Sequence, residues 1–452
     1  MLGCEQFLQT FIKGAVTRTD TWLVSLNHFS QGPLTDHQRH LHIKAHEKSV
    51  PIGTIPDDAL SLLHAYENAG QPAPMTAYSR LIAALFRTPS SLAHAQAWDL
   101  FAHMRYVAHP QPDALLFTQM IHACALPTPA EPERALDLFT EMTVDRGIPP
   151  TAGAYNAAIL ACARSGSKVY VNEAFRLAKE MLDAHRDARG RGTFRPDSHT
   201  FSALLEGAKR IGDLGRARWI LAEMVEVARQ NPESRDVVVD ERIMTHVFHA
   251  YAAYRPPFKR SMAPLVEGDA DADANAAEPV EETAASSPVE ASSHEPSPSF
   301  AHLPPQSSAE VIAEARALFS SLSRSSSSSS PPTSSAAALP TLPDAHITPR
   351  LLNAYLAVFY AHASLETAHE AFRTVFAQEG VEKDAHTLVE ALERCARARR
   401  GSERTSGALV GFTEEAWCEW AVFENASSKQ QQRLSARHIQ RAYAARIRIH
   451  TL

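Results

Sequence analysis

An all-α repeat of helical hairpins is the fold class this sequence predicts, and three observations carry the prediction. Hydrophobic residues make up 44% of the 452-residue chain, enough for packed cores, yet there is no uncharged apolar run of about 18 residues that would span a membrane. A small residue followed by apolar residues three, four and seven positions on recurs along the chain, as in Ala135, Leu138, Phe139 and Met142. Upstream of each copy lies a second template, an aromatic or aliphatic residue with apolar partners at the same offsets. That spacing marks one face of an α-helix. The chain is also longer than one central core supports, roughly 250–300 residues, whereas stacked repeats grow without one.

Residues 1–56 form an N-terminal region. MLGCEQFLQTFIKGAVTRTDTWLVSLNHF is poor in acid and sets Lys13 and Arg18 among apolar positions, a pattern shared by transit segments and ordinary amphipathic helices. DHQRHLHIKAHEK follows with His37, His40, His42 and His46. His42 and His46 have an i, i+4 spacing that can hold a metal, but HExxH order and a neighbouring Cys or Asp are lacking, so surface histidines on a loop and short helix are expected. A half-unit around Ala59, Leu62, Leu63 and Tyr66 opens the repeat region 57–255, whose units start at 75, 114, 152, 198 and 241.

In these units the first helix carries Tyr78, Leu81, Ile82, Leu85; Phe117, Met120, Ile121, Cys124; Tyr155, Ala158, Ile159, Cys162; Phe201, Leu204, Leu205, Ala208; and Met244, Val247, Phe248, Tyr251. The second helix carries the other template at Ala97, Ala135, Ala174, Ala217 and, after a long gap, Ala315. The first four anchors lie 38, 39 and 43 residues apart, with the excess in turns, where insertions cost little. Residues 256–308, rich in Pro, Ser, Ala and acid, are expected to be a disordered insertion within the fifth hairpin, since they cannot bury enough apolar surface to order. The second helix of that hairpin occupies 309–322, and a Ser/Pro-rich linker fills 323–344. Two further hairpins span 345–424, anchored at Leu352, Tyr355, Leu356, Phe359 with Ala368, and at Leu388, Ala391, Leu392, Cys395. Residues 425–452 close the chain as a basic helix.

Charge and cysteines narrow the function classes. The net charge of −7 belongs to the tract from Ser261 to Phe300 within that insertion, which holds nine acids, Glu267, Asp269, Asp271 and Asp273 among them, without a Lys or Arg. Cys124, Cys162 and Cys395 fall on equivalent apolar positions of three first helices, so they read as core, and no CxxC pair or disulfide spacing exists. No Walker A loop, GxSxG elbow or dinucleotide-binding glycine fingerprint is present. A non-enzymatic protein without cofactors or metal is expected.

The units AYNAAILACARSG, TFSALLEGAKRIGDLGRARWILAEM and RALDLFTEM, with the closing GIPPT, FRPD and VEKD, resemble pentatricopeptide repeats from about Met75 to Cys395. The Trp and Gly-Tyr positions of the related tetratricopeptide family are not reproduced in the first helix. The resemblance implies a right-handed superhelical solenoid of about seven hairpins whose first helices line a groove for single-stranded RNA, one base per repeat. In that family a reader directly follows the first-helix aromatic and a second reader ends the unit. Carried over, the first class is Ser79, Thr118, Asn156, Ser202, Thr245 and Asn353. The second is Asp113, Thr151, Asp197, Asp240 and Asp384, with Asp344 or Thr348 after the insertion. Each terminal Asp suits a helix cap as well as a reader, and the roles are compatible. By the family's base code, Asn156 with Asp197 and Asn353 with Asp384 lean to uracil, and Ser79 with Asp113 and Ser202 with Asp240 to guanine. The loose spacing and Val389 at the seventh reader position leave no target sequence to be read.

The terminal segment supplies basic charge, with Lys429, Arg433, Arg437 and Arg441 spaced by four beside an apolar face of Ile439, Tyr443 and Ile447. Such a helix can cover the last hairpin while pointing cations at RNA phosphates or at water. The resemblance implies single-stranded organellar mRNA or rRNA as partner, with no DNA expected, a mitochondrial matrix location, and a role in RNA processing, stability or translation. The other reading is a scaffold of the mitochondrial ribosome or its assembly that touches rRNA and protein without reading bases.

Overall fold

The computed structural model describes residues 34–51, 53–183, 194–230, 237–257, 304–327, 346–400, 407–429 and 434–451. Most of the acidic insertion, the Ser/Pro-rich linker and the candidate transit segment lie outside these residues. Among the described residues the fold is all-α, and the helices fall into two compact units whose boundary passes through one helix, Lys168–Asp183. None of these helices is long and apolar enough to cross a membrane.

The first unit begins with α1 (Asp36–Ser49) and α2 (Asp57–Asn68), which pack together. Here the structure departs from the sequence reading, because the histidine-rich stretch is a full helix that gives the half-unit its partner. Thr35 starts it with a reciprocal capping box to Gln38, satisfying end N–H groups that would otherwise lack partners. Its inward face includes Arg39 and His42 as well as Leu41, Ile43 and Ala45, so an apolar period alone does not reveal it. Then come α3 (Met75–Arg87) with α4 (Ser91–His103), and α5 (Ala114–Ala123) with α6 (Pro132–Thr140). Both α4 and α6 end in a π-helical turn, at Met104–Ala108 and Glu141–Asp145. Next stand α7 (Ala152–Arg164), packed on α5 and α6, and α8 (Lys168–Asp183).

The repeat shows in hydrogen bonds between equivalent positions of neighbouring hairpins. His109 Nε2 lies 2.7 Å from the Ala73 carbonyl, and Arg146 Nη1 donates to the Pro110 carbonyl at 3.1 Å, each 36 residues away. Loop carbonyls with no helical partner are thereby satisfied by the next unit, as buried or half-buried backbone requires.

The second unit contains α9 (Ser198–Ile211), α10 (Leu214–Gln230), α11 (Glu241–Ala253), α12 (Ser308–Ser327), α13 (Pro349–His362), α14 (Leu365–Glu379), α15 (Ala385–Arg400), α16 (Gly407–Lys429) and α17 (Ala436–Thr451). The first helices pack side by side, α9 on α11 and α11 on α13, and α17 lies against α15. Helix α12 carries the anchors of the fifth hairpin. Its Phe319 stacks on Tyr355 at 4.2 Å between centroids, and its Glu314 pairs with Arg218 at 2.9 Å. Both template faces are buried throughout, from Ala97, Leu100, Phe101 and Met104 to Leu388, Ala391, Leu392 and Cys395. Burial pushes the Cys124 thiol up to about 12 and the Cys395 thiol to about 11, so both are packing residues.

Candidate nucleic-acid interface

The residues that close one repeat are the N-caps of the next. Asp113 accepts from the Leu116 N–H at 2.8 Å, Thr151 from Ala154 at 3.1 Å, Asp197 from Thr200 at 2.8 Å and Asp240 from Ile243 at 2.9 Å. Of the two candidates after the insertion, Thr348 caps α13 through the Leu351 N–H at 3.3 Å, and Asp344 lies outside the described residues. A short side-chain oxygen at this position replaces the missing helical acceptor, which alone accounts for the recurrence of Asp and Thr.

The first class of candidate readers divides between the units. In the first unit Ser79, Thr118 and Asn156 directly follow buried Tyr78, Phe117 and Tyr155 and are half-buried. Ser79 Oγ donates to the Met75 carbonyl at 3.1 Å and Thr118 Oγ1 to the Ala114 carbonyl at 2.7 Å. These bonds use each hydroxyl proton and leave oxygen lone pairs able to accept. Gln119 Nε2 donates to the Ser79 carbonyl at 3.0 Å, tying adjacent first helices in register. A Cβ placed on Gly153 would stand 3.5 Å from Thr118 Cγ2 and 3.7 Å from Thr151 Oγ1, so the two readers of that repeat flank one residue that has no side chain. Thr151 and Asp113 are exposed.

In the second unit the same positions do not face solvent. Ser202 is 5% exposed, Thr245 2% and Asn353 4%; α9 and α11 each pack closely against the next first helix, and Asn353 is covered by Asp384 and Thr387 of the next repeat. Thr245 Oγ1 makes no hydrogen bond among the described residues. Asn353 is closed on its own repeat partner: its Nδ2 donates to Asp384 Oδ1 at 3.1 Å, and its Oδ1 accepts from Thr387 Oγ1 at 2.7 Å. Burial pushes the Asp384 carboxyl up, but the Thr387 N–H and hydroxyl and the Asn353 amide outweigh it and hold the group below its usual range.

A charged cluster that the sequence reading did not single out joins α9 and α11. Glu206 accepts from Arg210 Nε at 2.7 Å and from Lys209, and lies 3.3 Å from His246 Nδ1. Burial opposes its ionisation, yet these partners hold the carboxylate down at about 2. Burial lowers His249 to about 4, with Lys209 adding to the effect. The i, i+3 and i, i+4 spacing of Glu206, Lys209 and Arg210 is the sequence signal for it.

The basic terminal segment is not one helix. Lys429 ends α16, Arg433 lies outside the described residues, and α17 starts at Ala436 after Ser435, so only Arg437 and Arg441 share a helix. Its buried face is Ala442, Ala445 and Ile449, while Tyr443 and Ile447 are exposed, a rotation of the expected stripe. Arg441 forks onto Glu393 at 2.9 and 3.0 Å, which occupies the fork and holds the Glu393 carboxyl below its usual range. Arg437 is exposed. In the histidine pair of α1, burial lowers His42 to about 4, and its Nδ1 lies 2.6 Å from Tyr66 Oη.

Fold and site together define an α-helical hairpin repeat with a partly exposed polar row on the first helices of its first unit. The chain is similar to solved structures of the pentatricopeptide repeat protein PPR10. Two are complexes with an 18-nt psaJ RNA element, each 12% identical over 95% of this chain with a TM-score of 0.32. A third, PPR10 from maize, is 13% identical over 92% of this chain with a TM-score of 0.34. The chain spans 53–57% of the length of those proteins. No family model matches the chain, and no curated protein does.

Proposed function

We propose that the chain is a single-stranded RNA-binding protein of the pentatricopeptide kind, which contacts bases through the first unit and acts in mitochondrial gene expression by occupying a transcript. The observation that carries this reading is the Thr118–Gly153–Thr151 arrangement. Two short hydrogen-bonding side chains from consecutive first helices stand beside a residue without a Cβ, with exposed Asp113 and half-buried Ser79 at the equivalent positions one repeat earlier. A flat base edge can approach such a surface, and stacking of the helices fixes its donors and acceptors. Mitochondrial placement and a step in processing, stability or translation rest on the resemblance of the repeats.

The closed Asn353–Asp384–Thr387 set favours a second reading for the second unit, in which that part of the chain contacts protein or rRNA without reading bases, as a ribosomal scaffold would. Crosslinking and immunoprecipitation followed by RNA sequencing separates these. Sharp peaks on one or two organellar transcripts support base reading; uniform rRNA recovery supports the scaffold; no enrichment overturns both. Import of the tagged full chain into mitochondria tests the location.

A further inference from the structure

Away from the polar row, three side chains of the first unit converge on one point. His64 and Glu67 stand one turn apart on α2, and His103 ends α4. His64 Nδ1 lies 3.1 Å and His103 Nε2 2.9 Å from the same oxygen, Glu67 Oε2. The three candidate ligand atoms are within 4.8 Å of one another. The two imidazoles meet edge to face with centroids 5.5 Å apart. Glu67 is nearly buried, and its other oxygen, Oε1, accepts the hydroxyl proton of Tyr78, a fully buried residue of α3. The carboxylate is therefore held from behind by the core, and Oε2 is presented to the histidines.

We propose that His64, Glu67 and His103 bind one divalent transition-metal ion, zinc by the chemistry of its donors, and clip α2 to α4. Two neutral imidazole nitrogens and one carboxylate oxygen are a donor set that zinc takes with a water in the fourth position. Calcium and magnesium are disfavoured because they require six or more oxygens or near-octahedral oxygen geometry. At Zn–N and Zn–O lengths of about 2.0–2.1 Å, tetrahedral ligands stand about 3.4 Å apart. The two Glu67–imidazole separations then open by a few tenths of an ångström. His64 is half-exposed and can make this adjustment by rotating its side chain. Tyr78 acts as a positioning residue, orienting the ligating carboxylate as outer-shell partners do. The residues come from positions 64, 67 and 103, and the inference is independent of RNA binding.

The test uses the tag-free full chain titrated with zinc against a chromophoric chelator, with cobalt(II) absorption and thermal melting as separate readouts. The expected result is one ion per chain, visible cobalt bands of a four-coordinate ion, and a melting temperature raised by zinc. His64→Gln and His103→Gln, with unchanged circular dichroism, should each weaken zinc binding by more than tenfold and abolish the zinc-dependent rise in melting temperature. Tyr78→Phe keeps the ring and should weaken binding by about tenfold or more. His42→Gln should leave the affinity unchanged. Absence of saturable binding, wild-type affinity in both His64→Gln and His103→Gln, or loss in His42→Gln alone would overturn the proposal.

Discussion

Asn353 and Asp384, 31 residues apart, are hydrogen-bonded to each other at 3.1 Å rather than to solvent. Asn353 also accepts from Thr387 with its carbonyl, so truncating it removes one donor from the half-buried Asp384 carboxylate, which keeps the Thr387 N–H and hydroxyl, and leaves a gap in the buried contact. Asn353→Ala should cost about 1–3 kcal/mol of stability, measured by urea unfolding, and leave RNA affinity unchanged in the folded protein. A loss of RNA affinity without a loss of stability would return Asn353 to the reading surface. Asn156, half-buried at the equivalent position in the first unit, should behave in the opposite way: Asn156→Ala weakens binding by about 1–3 kcal/mol if its repeat meets a base. Unchanged affinity removes Asn156 from the site.

Asp113 allows the cap and the reader to be separated. Its Oδ1 serves the Leu116 N–H, and Asn caps a helix about as well as Asp, whereas Ala costs about 1 kcal/mol. Asp113→Asn should therefore keep the melting temperature while changing which RNA is preferred, because one acceptor becomes a donor. Asp113→Ala should lower the melting temperature as well. If Asp113→Asn alters neither property, Asp113 is only a cap.

The sequence made the apolar faces legible because burial follows the helical period directly: residues such as Ala217, Ile220, Leu221 and Met224 are all in the core. Caps were legible for the same local reason, since Asp197 and Thr200 are three residues apart and complete one box. Exposure of the readers was not legible. Whether the residue after Phe117 or after Leu352 faces water depends on what the next repeat sets against it, which no single repeat encodes. Helix α1 is longer than the short helix expected there, and its buried face is not legible in the sequence because Arg39 and His42 sit on it, although Thr35 and Gln38 signal its start. The His64, Glu67 and His103 set joins two helices through a contact that linear spacing does not show.

Gly212 and Gly380 both end helices in the left-handed conformation, with φ of 68° and 64°. A Cβ on Gly212 would lie 3.0 Å from the Ala253 carbonyl oxygen, whereas one on Gly380 meets nothing within 4 Å. Gly380→Ala should therefore cost only the left-handed strain, about 1 kcal/mol, and Gly212→Ala more, about 2–3 kcal/mol. Equal losses in denaturant midpoint would show that the α9 turn gives way without resistance from α11.

Acid should weaken the fold well before carboxylates titrate. His42 and His249 are each lowered from 6.5 to about 4, mainly by burial. Between about pH 6.5 and 4 the unfolded chain binds more protons at these sites than the folded one, so stability is complete above 6.5 and falls as pH drops. Each contributes a loss on the order of 1–2 kcal/mol by pH 5. Glu206, held at about 2, acts lower: its contribution is present above about 4.5 and is lost as pH falls toward 2. Calorimetry at pH 7.5 and pH 5 should show a drop that His249→Gln reduces. An identical drop in that variant would place the sensitivity elsewhere.

The basic end of the chain separates structural from electrostatic arginines. Arg441 is engaged by Glu393 through two bonds, but both side chains are about one-third exposed, so Arg441→Gln should cost less than about 1 kcal/mol of stability and leave the salt dependence of RNA binding alone. Arg437 stands exposed one turn earlier on α17. If it meets a phosphate, Arg437→Gln should lower affinity at every RNA sequence and reduce the slope of log K against log salt by about 0.7, the value for one single-strand contact. Filter binding between low and moderate salt measures both quantities. A slope unchanged in Arg437→Gln makes α17 a cover for the last hairpin with its remaining charge turned to water, and a slope changed only in Arg441→Gln means that RNA displaces Glu393.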